Sequence, residues 1–159
     1  MNDATFSALY EQYGHLVFQR CLRLLGHPAD AEDAMHDVFI RAHRSAAPAR
    51  SKLIWLYRVA TNCCFDRLRH AKHVERQALR HAVEEPTLEV DGDRQALVTM
   101  VLRQVDRLTC EMGLLHHVDG LTQEEIAHEC GYSRRTVGKK LEAFDVEFKA
   151  RWSQAGGQS

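Results

Sequence analysis

The chain has no C-x-x-C pair, no H-E-x-x-H, no glycine-rich phosphate loop and no apolar run of bilayer length. Each absence narrows what it can do. Without histidines or paired cysteines at ligand spacing, no metal site is expected. Without a phosphate loop or a nucleophile motif, neither a cofactor nor catalysis of its own is expected. Without about 20 consecutive apolar residues, no helix is expected to cross a membrane. The opening residues, MNDATFSALYEQYG, lack the basic-then-apolar layout of a secretory leader, so the protein is expected in the cytoplasm. The five cysteines (Cys21, Cys63, Cys64, Cys110 and Cys130) are odd in number, and most fall at apolar helical positions. That fits small core residues in a reducing compartment, not a disulfide framework. There is no internal repeat.

What is there is an ordinary globular composition: 159 residues, 45% hydrophobic and 27% charged, enough for one domain or two small helical ones. The net charge of −1 conceals a strong segregation. Residues 1–40 carry six acids against Arg20 and Arg23, residues 41–80 carry ten bases against Asp66 and Glu75, and residues 81–93 carry acids only. A basic block can be a solvated helix face, but one this one-sided points to phosphates.

Residues 121–141 read LTQEEIAHECGYSRRTVGKKL, the pattern of a helix-turn-helix with a basic second helix. Thr122 and Glu125 form an S/T-x-x-E capping box. Gly131 stands where the chain must turn sharply, and Ser133 can cap the next helix. Val137 and Leu141 repeat at i, i+4 and are expected to pack back on the first helix, where small Ala127 allows a close crossing. Arg134, Arg135, Thr136, Lys139 and Lys140 then share the exposed face, which suits a helix in a major groove. The bland rival is a helical hairpin with a solvated basic face.

The rest of the chain also reads as helix, so the fold class is all-α: two small helical domains joined by an acidic linker. A first helix covers about residues 5–25 and is broken by Gly26. A second begins at Pro28, with Asp30, Glu32 and Asp33 in its first turn and a stripe of Ala31, Ala34, Met35, Val38, Phe39 and Ala42. A third starts near Lys52, holds a 3.6-residue period through Leu53, Leu56, Tyr57, Ala60, Cys64 and Leu68, and ends near Arg80. Residues 81–93, with Pro86, Gly92 and the acidic run, read as the linker. A fourth helix is expected over about residues 94–108 and a short fifth over 110–118, before the helix-turn-helix. The domains are thus 1–80 and 94–152, with a frayed tail at 153–159.

DAEDAMHDVFIRAHR (residues 30–44) followed by WLYRVATNCCFDRLR (residues 55–69) resembles the second conserved domain of bacterial extracytoplasmic-function (ECF) sigma factors. Residues 108–144 look like their fourth domain. The helix-turn-helix alone is shared with many regulators; WLYRxAxN preceded by D-A-E-D-x-x-x-[DE]-x-F is far more specific. The resemblance implies a protein that binds core RNA polymerase and directs it to promoter DNA. It implies polymerase contacts from Asp33, Asp37, Phe39 and Arg41. It places capture and melting of the −10 element at Arg50, Ser51, Lys52 and Asn62, with Arg58, Arg67 and Arg69 on backbone phosphates. It assigns the −35 element to the helix beginning at Ser133, with Arg134, Arg135, Thr136, Lys139 and Lys140. It also implies an anti-sigma protein acting in trans. An amide such as Asn62 can read the edge of an unstacked base, and the surrounding cations can hold single-stranded backbone.

The sequence departs from the family pattern at three places. Gly138 stands where a basic residue is usual, His36 where glutamine is common, and LTCEMGLLHH lacks the usual proline and arginine, with Gly113 inside its apolar helix. Two other classes remain open on the residues alone. One is a helix-turn-helix regulator with a helical sensor domain that does not bind polymerase. The other is a metal or thiol sensor drawing on the ten histidines: His70 and His73 could share a helix face, with Cys110 or Cys130 joining in space, whereas the adjacent His116 and His117 do not share one. Trp55 and Tyr57 could stack on bases, but their helical spacing favours the core.

Overall fold

The computed structural model describes residues 2–45, 51–78 and 104–154, with backbone alone over 72–78. The described residues form six helices: α1 (Asp3–Leu25), α2 (Pro28–Arg44), α3 (Lys52–Ala78), α4 (Arg107–His117), α5 (Gln123–Cys130) and α6 (Arg134–Gln154). The fold is all-helical, as expected. No helix among the described residues is long and apolar enough to cross a membrane. The expected linker at 81–93 and most of the expected fourth helix lie outside the described residues.

The helix ends follow from local chemistry. Asn2 starts α1 by accepting the Thr5 N–H at 2.8 Å, and Gly26 ends it in the left-handed region at φ 74°, donating to the Leu22 carbonyl. Pro28 opens α2 at a position where a missing N–H costs nothing. The Ser51 hydroxyl accepts the Ile54 N–H at 3.3 Å at the head of α3. In α5 the full capping box forms between Thr122 and Glu125, and Gly131 closes the helix at φ 74°. Ser133 then accepts the Thr136 N–H at 3.1 Å and starts α6.

One boundary differs from the sequence expectation. Val105 and Asp106 are non-helical, and α4 begins at Arg107, so Leu108 belongs to α4 and not to a helix before it. Asp106 is the cause: its carboxylate accepts the Thr109 N–H at 3.0 Å and the Thr109 hydroxyl at 2.7 Å. Burial pushes the Asp106 carboxyl up, but the bonds from Thr109 and from Lys140 outweigh it and hold it down at about 2. Asp106→Ala is therefore expected to cost about 1 kcal/mol at neutral pH, the usual worth of such a cap. The folded-state pKa lies below the unfolded one, so this stability is present above about pH 4 and is lost as pH falls toward about 2. Urea titrations of both proteins across that range should show their difference close; a gap that persists in acid would contradict it. At the other end, α6 runs to Gln154, so the tail expected from residue 153 is helical for its first two residues.

Helices α1, α2 and α3 enclose one core, with Val17, Cys21, Ala31, Ala34, Val38, Leu56, Ala60 and Cys64 fully buried. Ile126, Val137 and Leu141 join Met112 and Leu115 in a second core under the helix-turn-helix. The expected packing of Val137 and Leu141 is found, with Ala127 against them. Gly113 has a steric role here. A Cβ at that position would lie 2.3 Å from the Phe144 ring, so glycine lets α4 and α6 touch. Beyond that contact, Phe144, Phe148 and Trp152 stack along α6 with centroids 6.4 and 6.2 Å apart.

The two helical sets pack on each other. Cys110 and Leu114 of α4 complete the first core, and Ile54 of α3 reaches the second. Three ion pairs cross the seam: Arg20 of α1 with Asp119, Arg58 of α3 with Glu111, and Asp66 of α3 with Arg107.

Candidate nucleic-acid and polymerase interfaces

The acidic stripe of α2 is split by its periodicity. Asp33 is exposed, while Asp37, four residues on, is bound by Arg67 of α3 at 2.5 Å. Arg41 is half exposed and lies 3.6 Å from Asp66. Phe39 points the other way. It is 1% exposed and packs edge-on against Phe6 and Tyr10, at centroid distances of 6.2 and 4.8 Å. Its expected place in a partner contact is thus corrected: the side chain is core, and only its neighbours on the helix surface are available to a partner. Trp55 and Tyr57 are partly buried, Trp55 against the first core and Tyr57 beneath the Arg20 guanidinium, 4.5 Å from its ring centroid. That agrees with the core reading of both.

The basic residues of α3 fall into three situations. Lys52 is exposed at the helix start. Arg67 and Arg69 stand toward the far end, one on Asp37 and the other 4.6 Å over the Phe65 ring. Arg58 lies in the seam on Glu111, which is 4% exposed. One turn further on is Asn62, whose Oδ1 is buried with no protein hydrogen-bond partner. Arg50 lies outside the described residues, as does the side chain of His73.

The helix-turn-helix presents its basic face as expected. Arg135 and Lys139 are exposed. Arg134 reaches back to Glu124 at 2.9 Å and Lys140 to Asp106 at 3.1 Å, both at the surface, where such pairs exchange readily with solvent or phosphate. Thr136 shares a 2.9 Å bond with the Ser133 hydroxyl. Gly138 lies between Thr136 and Lys139 in the chain, and a Cβ there would meet only Gln123 Oε1 at 3.5 Å, an ordinary contact. Gly138→Ala is therefore expected to stabilise the protein by about 1 kcal/mol. Thermal and urea denaturation should both move upward; destabilisation would mean the backbone here needs glycine.

The adjacent histidines of α4 have structural partners. His116 Nδ1 is 2.6 Å from the Leu121 carbonyl, and His117 Nε2 is 2.8 Å from Asp145. No three potential metal ligands converge among the described residues. Burial pushes the thiols of Cys63 and Cys130 up to about 11 and Cys110 to about 12, which keeps them protonated and inert near neutral pH. A hydrogen bond from Cys64 moves Cys21 the other way, inside the same closed core.

Residues 9–74 match the family described as Sigma-70 region 2, which takes in the three helices carrying the acidic stripe and the WLYRVATN segment. SigW, an ECF RNA polymerase sigma factor of Bacillus subtilis, is 39% identical over 70 residues, 42% of this chain and 37% of SigW. SigE, an ECF sigma factor of Mycolicibacterium smegmatis, is 28% identical over 147 residues, 86% of this chain and 57% of SigE. Residues 9–74 thus carry a sigma-70 region 2, and the chain is similar to ECF sigma factors. It spans about a third to somewhat over half the length of these curated relatives. Among solved structures, the sigma factor RpoE of Bartonella quintana, determined with the anti-sigma factor NepR, superposes with a TM-score of 0.60. That likeness covers 94% of this chain and 97% of RpoE at 15% identity, and so concerns the fold.

The matched region ends before α4, while the SigE alignment continues well beyond it. Besides the Asp106 cap, the residues that sequence reasoning missed belong to the seam: Arg20, Glu111, Asp119 and the Asp66–Arg107 pair. Two signals could have found some of them. Glu111 is the one charged residue in the buried stretch TCEMGLL of α4, and Arg20 interrupts the apolar side of α1.

Proposed function

We propose that this protein binds core RNA polymerase and directs promoter-specific initiation, with residues 1–80 serving polymerase and the −10 element and residues 94–152 the −35 element. One observation carries the reading. A sigma-70 region 2 unit and a fully capped helix-turn-helix with an exposed basic face stand on one short chain. Two modest DNA contacts on one polymerase reinforce each other through effective concentration, so neither has to bind tightly alone. Asp33, Asp37 and Arg41 form the polymerase-facing surface. Lys52, Asn62, Arg67 and Arg69, with Arg50, Ser51 and Arg58, serve the melted −10 strand. Arg134, Arg135, Thr136, Lys139 and Lys140 serve the −35 duplex from a helix that Ser133 begins. The protein works in the cytoplasm without a reaction of its own, and the RpoE complex with NepR supports an anti-sigma partner in trans.

The test is run-off transcription by core polymerase plus this protein on promoters from its own genome. Transcripts dependent on the added protein are expected. Intact core binding with no transcript from any promoter would count against the reading. Asn62→Ala is expected to slow open-complex formation by roughly tenfold while leaving core binding unchanged, in line with about 1–3 kcal/mol for a lost base contact. Equal loss of both would point to a folding defect.

A further inference from the structure

We propose that Gln123 reads one base pair of the −35 duplex through the space that Gly138 leaves, standing in from α5 for a side chain that α6 lacks. The inference rests on the −35 reading of α6 given above and adds a specificity-determining residue to it.

Gly138 lies on the flank of α6 that faces the head of α5. It follows Arg134 by four residues, so the two share that flank, and Arg134 reaches Glu124 at 2.9 Å. Gln123, the first residue of α5, stands next to Glu124. Its Oε1 is 3.5 Å from the place of a Cβ at Gly138. Among the described residues, apart from the glycine's chain neighbours, no other side chain comes within 4 Å of that place. The carboxamide therefore ends where a side chain at 138 would begin, beside the exposed surface that Arg135 and Lys139 carry. Gln123 is half-buried, and its amide makes no hydrogen bond among the described residues. A side chain held in this way has less freedom to lose on binding, and its donors and acceptor are unspent.

Charge decides what the amide meets. A glutamine can bond a backbone phosphate or a base edge. A phosphate here would face carboxylates, because Glu124 beside Gln123 and Glu142 one turn beyond Gly138 are both exposed. A base edge carries no full charge and meets no such repulsion. The acceptor and donors of the carboxamide match the N6 amino group and N7 of adenine in the major groove. Glycine contributes through its size: without a Cβ at 138, the helix backbone can approach the groove closely and bring a base to the amide.

The test uses holoenzyme formed from core polymerase and the full chain, selecting among promoters whose −35 element is randomised. The unaltered protein is expected to enrich a motif with adenine at one pair that depends on Gln123. Gln123→Ala is expected to lower the preference at that pair by roughly tenfold and to leave the other positions as they were. Gln123→Glu keeps the shape but replaces the donors by an acceptor, so it should move the preference there to cytosine, whose N4 amino group donates. Gly138→Leu should flatten the same pair by covering the amide, whereas Gly138→Ala, whose Cβ makes only an ordinary contact, should keep it. Equal weakening on every sequence by Gln123→Ala would overturn the base reading, and an unchanged motif would overturn the contact altogether. A preference that survives Gly138→Leu would overturn the route through the glycine. Absence of any enriched motif with the unaltered protein is a different failure, that of the −35 reading itself, and removes this inference with it.

Discussion

Replacing Asp119 by alanine is expected to cost the fold about 3–5 kcal/mol, the usual penalty for stripping a buried ion of its partner. Its partner Arg20 is 3% exposed and comes from α1, and its Nε and Nη1 find no other acceptor. Without Asp119 the guanidinium keeps only the face of Tyr57. The pair itself is not a large net gain. Burial raises the pKa of Asp119 despite the attraction of Arg20, so desolvation outweighs the ionic contact. The double change Arg20→Met with Asp119→Leu should therefore cost far less than either single change. Urea unfolding of the three variants checks this. A double variant as unstable as the sum of the singles would show that the ions contribute independently. The direction of the pKa also separates Asp119 from Asp106. A carboxyl raised in the folded state favours folding more as pH falls, so acid loosens this fold at Asp106 and not at Asp119.

Promoter binding by the holoenzyme is expected to weaken steeply with salt, by roughly 10³–10⁵-fold between about 50 and 200 mM for about six to ten phosphates contacted. The described cations suffice for that number: Lys52, Arg58, Arg67 and Arg69 on α3, and Arg134, Arg135, Lys139 and Lys140 on α6. Arg135 and Lys139 stand exposed, so each should contribute nearly a full counterion. Arg134 and Lys140 must first leave Glu124 and Asp106 and should contribute less. Arg135→Ala is expected to reduce the slope of log affinity against log salt by about one. Filter binding over that salt range provides the measurement, and a flat response would contradict a phosphate-dominated contact.

The helices and their ends were legible in the sequence because their causes are local. Thr122 with Glu125, Gly131, Ser133, Gly26 and Pro28 each act within one turn, and each is found in its expected role. The Asp106 cap is equally local and was overlooked because apolar periodicity ran on from Val101 through Val105 to Leu108. Family likeness was legible for a different reason: WLYRVATN and the acidic run before it are a dense pattern in few residues.

What the sequence could not decide depends on which side of a helix meets which neighbour. The apolar stripe of α2 set Phe39 inside while the family resemblance set it among the polymerase contacts, and the α1–α2 crossing settles the matter by packing it onto Phe6 and Tyr10. Gly113 reads as a flaw in an apolar helix until Phe144, 31 positions later, arrives against it. Arg20 and Asp119 are 99 residues apart, and no periodicity links them. By itself the sequence determined an all-helical chain, where its capped helices stop, and the basic faces that point to DNA. The tertiary structure alone decided that Arg58 lies against Glu111 and that the two helical sets share their cores. The physical reason is range: caps, turns and amphipathic stripes are fixed within a few residues, whereas pairing across a seam is fixed only once the whole chain has packed.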